Sequence, residues 1–178
     1  MVRKIKKTSS KTGVLSDDEL KAIPGFPSEE ALRKGPVAII KCAEEIPCNP
    51  CVEACVKGAI GMEGGINALP ILDSEECTGC GLCIPSCPGL AIFVVDLTFS
   101  EKEALVKLPY EFLPLPEKGD SVILMDPQGK EIGEGVIHGV LTSPKFDRTA
   151  VITIRVPKHL ALEVNHFRRV QDKGKSYG

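Results

Sequence analysis

Eight cysteines carry the chemistry of this chain, at positions 42, 48, 51, 55, 77, 80, 83 and 87. All lie within 46 of the 178 residues, and the rest of the chain has none. In a reducing compartment such clustering reads as metal binding and not as a disulfide framework. The N-terminal MVRKIKKTSSKTG is basic but lacks the apolar stretch of a secretory signal. No apolar run approaches the roughly 18 residues a membrane span needs. A cytoplasmic chain with reduced thiols is therefore expected.

The second cysteine group reads CTGCGLCIPSCP, the spacing C-x2-C-x2-C-x3-C-P without deviation. An iron–sulfur cubane takes four thiolates, one on each iron, and two-residue gaps curl a backbone around three of them. Gly79 and Gly81 let the chain approach closely. Cys87 should begin a helix that leads away to a second cluster, with Pro88 in its first turn, where a missing N–H costs nothing. The first group, CAEEIPCNPCVEACV, keeps C-x2-C-x3-C, but its first gap is five residues and Val56 stands where Pro is usual. Zinc also takes C-x2-C pairs, but a structural zinc site needs two of them across a knuckle. Two three-cysteine loops with exchanged fourth ligands suit cubanes better. Cys42 is either the fourth ligand of its set or a bystander thiol at a strand end.

This constellation resembles the bacterial dicluster ferredoxins over about residues 37–97, a third of the chain. The resemblance implies two [4Fe–4S] clusters. One would be held by Cys42, Cys48, Cys51 and Cys87, the other by Cys77, Cys80, Cys83 and Cys55. An internal repeat agrees with a duplicated half-domain. Cys48, Cys51, Cys55, Ala59 and Ile60 recur 32 residues later as Cys80, Cys83, Cys87, Ala91 and Ile92.

Charge is unevenly spread beneath a net −2. Residues 1–41 hold nine bases against five acids, residues 42–100 hold Lys57 alone against eight acids, and residues 101–178 are near balance. The acidic stretch holds every cysteine, which excludes a nucleic-acid surface there. His138, His159 and His166 are far apart and read as structural. No Ser/His/Asp set, nucleotide-binding Gly motif or radical-generating C-x3-C-x2-C unit is present, so no catalytic residue is assigned.

The elements that must position the cysteines are short, as 17 Gly and 14 Pro suggest. Residues 1–13 read as a basic tail and 14–36 as a helical extension. In that extension Ser16 and Glu19 have capping-box spacing, and Glu29–Lys34 forms a second helix. Residues 37–100 form the cluster domain, with β-type runs at 37–40 and 91–95 and a Gly-rich hairpin between Ile60 and Leu72. Residues 101–116 read as a connector, since each Pro in Leu113-Pro114-Leu115-Pro116 biases its predecessor away from helix. Residues 117–170 read as a small antiparallel β-module with a terminal helix through Leu160, Leu162, Val164 and Phe167, and 171–178 as a frayed tail. The fold class expected is α+β: a ferredoxin-like dicluster fold with short N-terminal helices and a small C-terminal β-module.

Taken whole, the chain resembles the ferredoxin-like small subunits of multi-subunit FAD-dependent dehydrogenases, with EIPCNPC and LPYEFLPLPEKG contributing. That resemblance implies an electron-transfer subunit, not catalytic alone, in a hetero-oligomer with a flavoprotein. A free-standing low-potential ferredoxin with docking modules is the alternative. All eight ligands precede residue 117, so both clusters are expected to assemble without the β-module.

Overall fold

The computed structural model describes residues 13–170; the two expected tails lie outside this range, apart from Gly13. Two short helices come first, α1 (Asp17–Ala22) and α2 (Glu29–Lys34). The α1 capping box is present. Ser16 Oγ accepts from the Glu19 amide, and the Glu19 carboxylate accepts from the Ser16 amide at 2.8 Å. Ser28 caps α2 in the same manner, accepting from the Ala31 amide.

The cysteine region follows as β1 (Val37–Ile40), α3 (Pro50–Ala54), β2 (Ile60–Met62), β3 (Pro70–Leu72) and β4 (Ile92–Asp96). The 32-residue repeat is visible in its pairing. β1 pairs antiparallel with β4, Ile40 opposite Ile92, and β2 pairs antiparallel with β3, Ile60 opposite Leu72. Replacing each residue of the first pair by its equivalent 32 positions away gives the second, so each pair joins a strand of one repeat to a strand of the other. The N-terminal extension fastens the two pairs together. The amides of Ile40 and Leu72, equivalent positions, donate to the carbonyls of Gly25 and Pro24. A side chain at Gly25 would meet Ile40 at 2.6 Å, so the contact requires glycine.

Beyond β4 the sheet does not stop. β5 (Glu103–Tyr110) pairs with β4, and β6 (Ser121–Met125), β7 (Glu131–Leu141), β8 (Ala150–Pro157) and β9 (His166–Arg169) complete a seven-stranded antiparallel sheet. Its order is β1-β4-β5-β8-β7-β6-β9. Two expectations are corrected here. The stretch 101–116 is not simply a connector, because its alternating Ala104, Val106 and Leu108 form the inner face of an eight-residue strand. The expected terminal helix is a 3-10 turn at Lys158–Leu160 followed by β9, because the β6 edge takes His166–Arg169 as a partner strand.

The sheet separates two cores. Along β4, Phe93 and Val95 pack with the inner faces of β5 to β9, whereas Ile92 and Val94 face the cysteines. A slip in register at Ile137/Gly139 leaves His138 as a bulge residue on β7, its ring edge-on to Phe99. This agrees with a structural reading of His138.

Candidate metal centre

The eight cysteines are all free and fall into two groups of four around two cavities. Cys55, Cys77, Cys80 and Cys83 line one; Cys42, Cys48, Cys51 and Cys87 line the other. The walls are otherwise largely apolar and obey the repeat: Ile60 and Val94 in the first, Ile92 and Met62 in the second.

Local folding explains each position. Pro50 starts α3, and Cys55, which follows its last residue, lines the other cavity from Cys51. The corresponding helix expected at Cys87 does not form; turns surround Pro88 and Gly89, and Leu90 takes φ 51°. Cys87 nevertheless reaches the opposite cavity, and its Sγ accepts from the Ala91 amide at 3.4 Å.

Cys42 lines the same cavity as Cys48, Cys51 and Cys87, and the repeat explains its odd spacing. From Ile40 to Cys48 the chain is as long as from Leu72 to Cys80. The five-residue gap is therefore no insertion. The first cysteine sits three residues nearer the strand, with Glu45 at the position equivalent to Cys77.

The loop bearing Cys77, Cys80 and Cys83 is tightly held. Gly79 has φ +63°, and a side chain there would meet the Pro36 carbonyl oxygen at 2.5 Å. On its other side, Lys107 Nζ donates to the Gly79 carbonyl at 2.7 Å. The Ala38 amide donates to Cys77 Sγ at 3.4 Å. These contacts are not legible from the motif. A lone lysine in the apolar run Ala104–Leu108 is the available signal for one of them.

Burial pushes the Cys83 thiol up to about 12, with the charges of Cys77, Cys80 and Cys55 adding to the effect. Burial likewise raises the Cys42 and Cys51 thiols. Four clustered thiols in apolar walls hold protons unless cationic iron compensates the thiolates. Among the described residues no three His, Cys, Asp or Glu side chains converge closely enough for a single metal ion. Four thiols around one cavity supply the donor set of a multi-iron cubane, one thiolate on each iron. The three histidines join neither group. Among the described residues no helix is long and apolar enough to cross a membrane.

Comparison with known proteins agrees with this chemistry. Residues 70–93 match the 4Fe-4S binding domain family, so the chain carries a ferredoxin-type iron–sulfur domain. It is similar to an uncharacterized ferredoxin of Methanocaldococcus jannaschii, 47% identical over 45 residues, covering 25% of this chain and 28% of that protein. It is also similar to the ferredoxin-type protein NapF of Haemophilus influenzae, 37% identical over 59 residues, covering 32% of this chain and 33% of that one. The chain thus spans about a third or less of the length of these relatives. No solved structure matches it.

Proposed function

We propose that this chain is an electron-transfer subunit relaying single electrons through two [4Fe–4S] clusters. Cys42, Cys48, Cys51 and Cys87 would hold one, and Cys55, Cys77, Cys80 and Cys83 the other. The observation that carries the reading is the division of eight thiols, four and four, around two cavities related by the repeat. Bound there, each cluster would supply a one-electron redox centre.

The residues of the chain set the conditions for that role. Each site takes three thiols from one loop and the fourth from the other repeat. Neither set is complete until the two antiparallel pairs, β1 with β4 and β2 with β3, have formed. Cys51 and Cys83 are nearly enclosed, at 8% and 7% exposure, which limits water at the irons they would bind. Cys80 is exposed and marks the face through which a partner would approach. The Ala38 and Ala91 amides spread the negative charge of the Cys77 and Cys87 sulfurs, which favours the reduced form.

The electron donor in this proposal is a flavin-containing dehydrogenase subunit of the same hetero-oligomer. Support comes from the whole-chain resemblance and from a C-terminal region, residues 101–178, with no cysteine of its own. The test is native purification under anaerobic conditions. Flavin absorbance co-eluting with the iron supports the subunit reading. The second reading, a free-standing ferredoxin with docking modules, would elute as a flavin-free species at about the mass of one chain, 19.1 kDa.

A further inference from the structure

We propose that Lys107, brought to the Cys55 site by the C-terminal strands, makes that site the higher-potential of the two. The first electron delivered by a one-electron donor then resides mainly there. This inference rests on the two-cluster reading.

The argument begins with register. Ala38 lies opposite Val94 on β4, and Val94 lies opposite Lys107 on β5. Residues directly opposite in an antiparallel sheet point to the same face. Ala38 and Val94 line the Cys55 cavity, so the Lys107 stem emerges on the cysteine side of the sheet. It is half-buried, passes 3.5 Å from where a Gly81 side chain would start, and ends on the Gly79 carbonyl. A cation thus lies across the loop that separates Cys77, Cys80 and Cys83.

Among the described residues the other site has no counterpart, as the repeat makes visible. β4 continues into β5, but its repeat equivalent β2 belongs to a two-stranded sheet with β3 and has no further strand beside it. Lys57 also lines the Cys55 cavity, and 32 residues on its equivalent is Gly89. Among the described residues, the Cys42 cavity is lined by Glu44 and by no cation. Lys41 adjoins Cys42 in sequence but alternates to the opposite face. There its Nζ lies 4.4 Å from the Phe93 ring centroid and donates to Asn165 Oδ1.

Other contributions do not reverse the order. Ala38 and Ala91 each donate a backbone amide to sulfur at 3.4 Å, one at each site, and the Val52 amide adds a dipole at Cys51 of the Cys42 site. The Glu44 amide adds a dipole at Cys42, but its carboxylate lines the same cavity. Glu53 lies on α3 between ligands of both sites, and Glu75, near Cys77, is exposed and paired with Lys34. A half-buried cation is screened less than these exposed carboxylates. Adding negative charge is therefore easier at the Cys55 site.

The test is an EPR-monitored redox titration of the full, anaerobically purified chain. Lys107→Met should lower one midpoint potential by at least 59 mV, a tenfold change for a one-electron couple. The couple that moves should be the one retained in Cys42→Ala protein. Lys107→Arg should keep the wild-type value. Unmoved potentials in Lys107→Met protein of full iron content, or movement of the other couple, would overturn the inference. If Lys107→Met loses iron, Lys107→Gln, which keeps a donor for Gly79, takes its place. Iron loss in that variant as well would make Lys107 a structural strut and overturn the inference too. Wild-type protein with about four irons would instead sink the two-cluster reading itself.

Discussion

Tyr110 on β5 stacks on Phe167 of β9, with ring centroids 4.9 Å apart and planes 11° from parallel. These strands are separated by three others in the hydrogen-bonded order, so the stack closes a sheet that curls back on itself. Phe167 is 2% exposed. Phe167→Ala should cost about 3–5 kcal/mol, the range for removing a buried aromatic. Chemical unfolding of the anaerobic protein measures this. A loss below about 1 kcal/mol would mean the closure is not a stability determinant.

His166, beside that stack, lies among Tyr110, Phe112 and Phe167. Burial lowers its pKa from the ordinary 6.5. The folded chain therefore binds fewer protons here than the unfolded chain as pH falls past 6.5, and stability drops in that window. Above it the contribution is fully present. Between pH 7.5 and 5.5 the unfolding midpoint should fall more in wild type than in His166→Gln. Parallel pH profiles for the two proteins would contradict this.

Removing residues 117–178 takes away β6 to β9, and with them β8, one of the two partners of β5. Ala104, Val106 and Leu108, all 0% exposed, would be laid bare on the strand carrying Lys107. Burying a large apolar side chain is worth about 1.5–3 kcal/mol. The truncated chain should be aggregation-prone and lose iron, with the Cys55 site affected first. Soluble truncated protein with full iron would show that the cluster region folds alone.

This outcome differs from what ligand positions alone suggest, and the difference shows what the sequence makes legible. The motif, the 32-residue repeat, the Ser16 capping box and, to within a residue, the runs at 37–40 and 91–95 depend on local chemistry and are found as read. The division of the cysteines needs the resemblance, since spacing leaves Cys42 open. The continuity of the sheet past residue 100 is masked by Pro114 and Pro116, whose connector signal overshadows the alternation along Glu103–Tyr110 just before them. β9 is masked for a different reason: Leu160, Leu162, Val164 and Phe167 fit an amphipathic helix as well as a turn and a strand. Whether the β6 edge is free for a partner is a tertiary fact, not a local one.

Cys42→Ala removes one thiol from a set whose spacing departs from the usual pattern. The protein should retain one intact cubane signal while the other is lost or converted to a [3Fe–4S] form. EPR with iron analysis reads this directly. Two unchanged cubanes would make Cys42 a bystander in the cavity it lines.

Two cavities holding two four-iron clusters are tested most directly by iron and acid-labile sulfide per chain in anaerobically purified protein. Two cubanes on eight cysteines predict about eight of each. Stoichiometric zinc without labile sulfide, or about four irons in protein that does not take up more on reconstitution, would contradict it.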